Sequence, residues 1–376
     1  MNSKKDKRPV PLVDIKTPLK VFGDEYKTII GEIIDSGAYV GTPNNKYIVE
    51  LEKNLQEALH SNAGVCVCNS GTTALIVALL AAGISPGDEV ILPDFNFIAG
   101  VEAVVLLGAH PVLVDVDPET YLIDFDSVVN AINHKTAAVI VTDLFGQFPD
   151  YSKLLECLEG SDIVVIEDGA QSFGAYDKFG NYACDMGHIA TTSFYPVKPL
   201  GALGEGGAVF SNNDELIKRA RIIINHGCLE KYNHIGLGFN GRLNAIQAAT
   251  VNLKLTKYFQ DELSARRLIA DRYMKNLPAE ILPKCVISAP SWAQFTLKMP
   301  ERDKFRAYLS ERLIGSDVHY PKPTSKQGIY GTGKEDNKNS SFLAKHVVSI
   351  PIHPYMNLPD VDYVIEAILK YLEGYK

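Results

Sequence analysis

No run of about 18 consecutive apolar residues, the length needed to cross a bilayer, occurs in this 376-residue chain. A membrane span is therefore not expected. The opening MNSKKDKRPV is basic but has no apolar segment behind it, unlike a secretory leader, so a cytoplasmic location is expected. Long basic runs are equally absent. The formal charge of -8 is spread along the chain, leaving no source for a groove that neutralises phosphate backbone, and nucleic acid is not an expected partner. Cysteine is sparse: Cys66, Cys68, Cys157, Cys184, Cys228 and Cys285 include no CxxC pair and are joined by no histidines at zinc-finger spacing. Neither a metal site nor a disulfide framework is expected, and the six should be free thiols. Internal repeats and low-complexity tracts are missing too.

What is present is an ordinary globular composition, 46% hydrophobic and 22% charged, long enough for one sizeable core and a second, smaller lobe. From about residue 64 to 210, apolar runs of strand length alternate with helix-like segments: VCVCNS before TTALIVALLAAGI, EVILPDFNF before AGVEAVVLLG, then PVLVDVD, AAVIVTDLF, DIVVIEDG, ATTSFYP and GGAVFSN. Continuous Val/Ile strands are covered on both faces, which predicts an α/β sheet, mostly parallel. PGD at 86 to 88 and DPE at 117 to 119 separate the units. In VCVCNS, Cys66 and Cys68 share one strand face and are expected in the core. Beyond 212, NAIQAATVNLKLTKYFQDELSARRLIADRYMKNL reads as one long helix linking two lobes, expected at 1–255 and 256–376. The polar stretch 324 to 341 reads as a mobile surface loop.

Three pieces carry chemistry. NSGTTAL (69 to 75) follows a strand and opens a helix, so the N–H groups of Gly71 and Thr72 and the helix dipole can hold an anion such as phosphate, although the same side chains also serve as a helix cap. Asp168, ending the apolar strand IVVIED, needs a cationic partner there: a protonated ring nitrogen, or a cap or salt bridge. Lys198 in SFYPVKPLGALGEGGA precedes Pro199, and Gly201, Gly204, Gly206 and Gly207 permit close approach, so its amine can be delivered into a cleft, where desolvation makes it a nucleophile toward an aldehyde; a plain exposed lysine is the alternative. A phosphate cup, a carboxylate for a ring nitrogen and an imine-forming lysine, in that order, are together what pyridoxal 5′-phosphate requires of its protein.

NSGTTAL, PDFNFIA, IEDGAQSFGA, SFYPVKPLGALGEGGA and GFNGRLNAIQAA resemble the DegT/DnrJ/EryC1/StrS family of sugar aminotransferases, over nearly the whole chain. The resemblance implies the fold type I (aspartate aminotransferase-like) architecture, with a mostly parallel seven-stranded sheet in the large domain and a smaller C-terminal α/β domain. It implies pyridoxal 5′-phosphate as cofactor, with pyridoxamine 5′-phosphate as its alternate form, Lys198 as the imine-forming lysine and Asp168 as partner of the ring nitrogen. Gly71, Thr72 and Ser193 would hold the phosphate, Phe97 would stack on the ring, and Gln171 would lie near its phenolic oxygen. Asn240 corresponds to a residue reaching the phosphate from a neighbouring subunit, which implies a homodimer with shared sites; Arg242 lies in the same segment. Similarity is greatest to the subgroup acting on UDP-linked 2-acetamido-3-keto-hexuronic acids in surface-polysaccharide (O-antigen) biosynthesis, which implies amino transfer from L-glutamate to C3″ of the sugar, with His319, Tyr320, Arg242 and His234 as substrate contacts. Amination at C4″ of a UDP- or dTDP-4-keto-6-deoxy sugar is the alternative. A sugar 3-dehydratase of the family would carry histidine in place of Lys198, and a non-catalytic regulatory homologue would be expected to lose Lys198 or Asp168. The chain departs from many relatives at Tyr195, Pro199 and Glu205.

Overall fold

A computed structural model describes residues 9–328 and 337–375. The seven expected apolar runs form strands β1 (Gly64–Cys68), β2 (Glu89–Pro93), β3 (His110–Val114), β4 (Thr136–Thr142), β5 (Val164–Asp168), β6 (Ile189–Ser193) and β7 (Gly207–Ser211). They make one sheet in the order β1-β7-β6-β5-β4-β2-β3. Only β7 runs against its neighbours; the pairs β2·β3, β2·β4, β4·β5 and β5·β6 are parallel. The mostly parallel α/β sheet expected from the Val/Ile runs is therefore observed. Residues Ala138, Val139, Ile140 and Val141 of β4 are fully buried, as a central strand covered on both faces requires.

Alternation along β1 sorts its side chains between two cores. Cys66 and Cys68 pack with Ala74, Val77 and Ala78 of the helix Gly71–Ala81, while Val65 and Val67 face Leu51, Leu55 and Ala248 on the opposite side. The expectation that both cysteines share a buried face holds, and all six are free. The helix Gly71–Ala81 is apolar on nearly every side because it lies between the sheet and the helices Ala99–Leu106 and Asp214–Ile223. A short exposed ribbon, β8 (Cys228–Glu230) with β9 (Asn233–His234), projects after the last of these.

A second core gathers the strands β10 (Phe295–Lys298) and β11 (Val347–Ile350) with the helices Phe259–Asn276, Arg302–Ser310 and Leu358–Tyr375, and Val10 near the chain start packs into it. The single long helix expected at the junction is two: Ala245–Lys257 and Phe259–Asn276 meet at Tyr258, whose φ of -125° leaves the helical region. Tyr258 is held there by stacking on Phe22, centroids 4.4 Å apart, and by donating its hydroxyl to Glu25 at 2.7 Å. Tertiary contacts of one ring override a periodic pattern that contains no breaker.

The flanks of the stretch 324 to 341 are also more structured than its polarity suggested; residues 329–336 lie outside the described residues. On one flank the Ser325 N–H and hydroxyl both donate to Asp94 at 2.6 Å; on the other Asn337 donates to the same carboxylate at 2.9 Å, and Ser340 donates to Asp115. Asp94 is fully buried, so it needs these donors, and the polar residues that read as solvated loop satisfy it. Among the described residues no helix is long and apolar enough to cross a membrane.

Candidate active site

A cavity of about 390 Å³ opens at the carboxyl ends of β5 and β6, where an open α/β sheet places its ligands. Its wall brings together Gly71, Thr72, Phe97, Asp168, Gln171, Ser193, Lys198, His319 and Tyr320. These nine span some 250 positions of sequence and meet because four loops leave the same sheet edge and the segment carrying His319 and Tyr320, anchored to β11, packs against them.

The helix that starts at Gly71 is capped by Ser70, whose hydroxyl accepts the Thr73 N–H at 3.0 Å. Ser70 is thus the helix cap, and Gly71 and Thr72, free of that role, line the cavity. A Cβ on Gly71 would lie 2.6 Å from Ser193 Cβ and 2.9 Å from its hydroxyl, so the helix N-terminus and the end of β6 approach as closely as a side-chain-free residue allows. The result is a shallow cradle of N–H groups and hydroxyls, with the positive helix end behind it, suited to a phosphate.

Asp168, at the end of β5, is only 7% exposed. Burial raises its pKa, and the Ala170 N–H, which it accepts at 3.2 Å, the Lys198 charge and the Thr142 hydroxyl oppose that rise. Thr142 is itself oriented by Asn96, whose amide donates to it at 2.7 Å. Nothing among these is a full ionic partner at contact distance, which leaves the carboxylate available to a cationic ring. Lys198 sits in a turn closed by its own N–H to the Tyr195 carbonyl at 2.8 Å. A Cβ on Gly201 would come within 2.4 Å of the Pro196 carbonyl, so the loop doubles back on itself through that glycine. The lysine side chain is reachable from the cavity, yet the protein packed around it lowers its pKa by desolvation, with the Asp168 charge opposing.

Gln171 is fixed at both ends: its carbonyl accepts the Phe145 N–H at 2.9 Å and its amide donates to the Tyr320 hydroxyl at 3.2 Å. Burial raises the Tyr320 pKa, so its phenol stays protonated. Phe97 is 54% exposed, a large aromatic left uncovered at the cavity mouth, its ring 6.0 Å from that of Tyr320. His319 is oriented by Ser349 at 2.9 Å, and burial holds its pKa below the ordinary value.

Arg242 and His234, expected as substrate contacts, do not line this cavity, and Asn240, expected to serve a neighbouring subunit, also lies outside it. The Asn240 carbonyl accepts from Asn69 at 3.3 Å, Arg242 donates to Asn225, and His234 lies on the exposed β8–β9 ribbon against the His226 carbonyl. In the other direction, Asn96, Tyr195, Glu205 and Gln294 line the cavity without having been singled out as contacts. Asn96 stands inside PDFNFIA, one position before Phe97, and was legible there; Gln294 comes from the second core, and no local pattern marks it. Its buried Oε1 lacks a partner. A larger hollow of about 850 Å³ in the second core, bordered by Pro118, Phe342 and Leu372, shares none of these residues. Among the described residues no His/Cys/Asp/Glu group could hold a metal ion.

Residues 23–369 match the DegT/DnrJ/EryC1/StrS aminotransferase family. The UDP-2-acetamido-2-deoxy-3-oxo-D-glucuronate aminotransferase of Pseudomonas aeruginosa is 36% identical over 363 residues, covering 96% of this chain and 99% of that protein. Among solved structures, DesV of S. venezuelae superposes with a TM-score of 0.91 at 32% identity, covering 96% of this chain and 98% of that one. The Bacillus subtilis protein NtdA with bound cofactor PMP gives 0.90 at 28% identity, covering 99% and 87%.

Proposed function

Because this chain belongs to the DegT/DnrJ/EryC1/StrS aminotransferase family and is a pyridoxal phosphate-dependent sugar aminotransferase, we propose that it moves an amino group from L-glutamate to C3″ of a UDP-linked 2-acetamido-3-keto-hexuronic acid, in the cytoplasm, for surface-polysaccharide synthesis. The observation that carries the chemistry is the meeting, in one cavity, of the Gly71–Ser193 cradle, the buried Asp168 and the desolvated Lys198. The acceptor rests on the likeness to the Pseudomonas aeruginosa enzyme.

Gly71, Thr72 and Ser193 would hold the cofactor phosphate, Asp168 would hold a proton at the ring nitrogen, and Phe97 would cover a ring face. When bound, pyridoxal phosphate supplies the electron sink for charge left at the donor α-carbon. Lys198 Nζ, whose pKa desolvation lowers, would take the α-proton from the donor and in the second half return a proton to the acceptor carbon. Gln171, braced by Tyr320, would lie near the phenolic oxygen of the ring, and the His319 ring fixed by Ser349, with Tyr320, would orient the sugar. A second copy of the chain would bring Asn240 to the phosphate; the exposed Leu229, Tyr232, Ile235 and Leu237 around the β8–β9 ribbon are the apolar surface that such a homodimer would cover.

One observation favours a second reading, amination at C4″ of a UDP- or dTDP-4-keto-6-deoxy sugar. Among the described residues Lys198 is the only Lys or Arg in the cavity wall, and Glu205 adds a negative charge, so a hexuronate carboxylate would depend on a cation from outside it, such as Arg242 of a second copy. The deciding experiment loads the protein with pyridoxamine phosphate and follows the return of the aldehyde-form absorbance with a panel of UDP- and dTDP-keto-sugars. The 3-keto-hexuronate is expected to respond best; a response confined to 4-keto-6-deoxy sugars replaces the acceptor, and turnover by Lys198→Ala removes the role given to the lysine.

A further inference from the structure

The last residues of β4 and β5, Thr142 and Asp168, stand directly opposite each other in the parallel register. Both are buried. Strand alternation sends the two side chains to one face of the sheet, where the Thr142 hydroxyl acts as a hydrogen-bond donor to the carboxylate. The same hydroxyl oxygen meets Asn96, a buried residue of the loop that follows β2. The Asn96 amide nitrogen stands 2.7 Å from Thr142 Oγ1, and its amide oxygen accepts the Phe97 N–H, also at 2.7 Å. This loop is anchored at its base, because the Asp94 carbonyl accepts the Thr324 N–H at 2.8 Å while the Asp94 side chain takes both donors of Ser325.

Donor and acceptor capacities fix every direction in this chain of bonds. A backbone N–H can only donate, so the Asn96 oxygen is the atom beside Phe97 and the NH2 group is the one beside Thr142. An NH2 group does not accept. The single hydrogen of the Thr142 hydroxyl therefore points away from Asn96, and the Asp168 carboxylate is the acceptor that receives it. Burial pushes the Asp168 pKa up, and a hydrogen bond given to its ionised form pulls it back. The other groups that act on this carboxylate are the Ala170 N–H, which is backbone, and the Lys198 amine. Tyr320 and Cys184 also feel its charge, and burial keeps both protonated.

We propose that Asn96 and Thr142 are positioning residues for amino transfer: Asn96 aims the Thr142 hydroxyl at Asp168, which keeps that carboxylate ionised and oriented to hold a proton at the ring nitrogen. The same amide ties the carboxylate to Phe97, the residue that would cover the ring. The assignment rests on the aminotransferase reading and adds to it two residues that act through Asp168. No covalent step takes place at either.

The test compares Thr142→Val, which keeps the shape and removes the hydroxyl, with Thr142→Ser, which keeps the hydroxyl, and with Asn96→Leu and the Asn96→Leu/Thr142→Val double variant. Stripped protein is first titrated with pyridoxamine phosphate across pH; this form has no aldehyde for Lys198 to capture, so imine formation stays out of the readout. Affinity should fall in acid as Asp168 takes up a proton and loses its charge. Removing a donor from the ionised form raises the Asp168 pKa, so the fall should begin at higher pH, by about half a unit or more, in Thr142→Val and Asn96→Leu, and return toward wild type in Thr142→Ser. In the single-turnover half-reaction with glutamate, the limiting rate should drop about tenfold in each of Thr142→Val and Asn96→Leu, while half-saturating glutamate changes less than about threefold. Because Asn96 acts through the hydroxyl, the double variant should lose about as much as Thr142→Val alone; independent roles would multiply to about a hundredfold. A wild-type acid limb and rate in Thr142→Val overturn the proposal, and so does a loss in Thr142→Ser equal to that in Thr142→Val, which marks side-chain packing. A hundredfold loss in the double variant overturns the part given to Asn96. Should Thr142→Val fail to fold, Asn96→Leu carries the same acid-limb expectation. A wild-type enzyme whose absorbance glutamate never changes removes instead the aminotransferase reading beneath it.

Discussion

Gly71 and Ser193 face each other so closely that a single methyl group cannot be placed between them: a Cβ on Gly71 would stand 2.6 Å from Ser193 Cβ. One residue opens a helix and the other ends a strand more than a hundred positions later, and the cradle proposed for the phosphate is open because no side chain on Gly71 fills it. Gly71→Ala should therefore widen the cradle and weaken cofactor binding by about tenfold or more, a loss near 1.4 kcal/mol, without unfolding the chain. Titration of stripped protein with pyridoxal phosphate measures it, with circular dichroism as the folding control. Undiminished affinity in Gly71→Ala would show that the phosphate sits elsewhere.

Lys198 has a pKa below that of an ordinary lysine because the protein around it excludes water, and Asp168 partly restores it. The neutral, nucleophilic amine is thus available at lower pH than for a free lysine. Capture of the cofactor aldehyde by stripped enzyme should rise with pH to a plateau and reach half its maximum below the ordinary value of 10.5. Removing the negative neighbour in Asp168→Asn should move that midpoint lower still, since the charge that favoured protonation is gone. Stopped-flow absorbance across pH gives both midpoints; a shift to higher pH in Asp168→Asn would contradict the arrangement.

Asp143 and Glu167, both fully buried, form a carboxyl pair behind Asp168, and the Asp143 N–H donates to the Asp168 carbonyl at 3.1 Å. Asp143 accepts the Tyr151 hydroxyl at 2.9 Å and the Ser172 hydroxyl at 2.7 Å, while Glu167 accepts the N–H groups of Cys184 and Met186. Burial, then the Glu167 charge, holds the Asp143 pKa well above the usual carboxylate range, so the pair holds on to a proton more tightly than two free carboxyl groups would. A raised folded-state pKa means that the native protein binds more protons than the unfolded chain above the ordinary carboxylate pKa. Stability contributed by the pair is therefore greatest in acid and falls as pH rises through the Asp143 pKa. Asp143→Asn, which cannot ionise, should flatten that decline. Tyr151→Phe should cost about 1–3 kcal/mol by stripping a donor from a buried acceptor, and more as Asp143 becomes charged. Denaturant melts of the three proteins at several pH values check both statements.

The sheet was legible because its strands are local patterns. Runs such as AAVIVTD and IVVIED can be satisfied only by burial on both faces, and turn residues mark where each ends. The alternation in VCVCNS placed Cys66 and Cys68 correctly for the same reason. The helix junction at Tyr258 and the anchored flanks of the stretch after 324 were not legible. Each depends on a partner distant in sequence: Phe22 and Glu25 for the first, the buried Asp94 and Asp115 for the second.

By itself the sequence determined the order of strands and helices, the motif carrying Lys198, and the likeness to sugar aminotransferases, because residue type and short-range spacing suffice for those. Only the tertiary structure decided that Asp168, Lys198 and the Gly71–Ser193 cradle share one cavity with His319 and Tyr320 while Asn240, Arg242 and His234 stay outside it. It alone left Arg266 buried with its Nε unpartnered. Charge compensation and desolvation are set by distances through space, and a linear order of residues does not contain them.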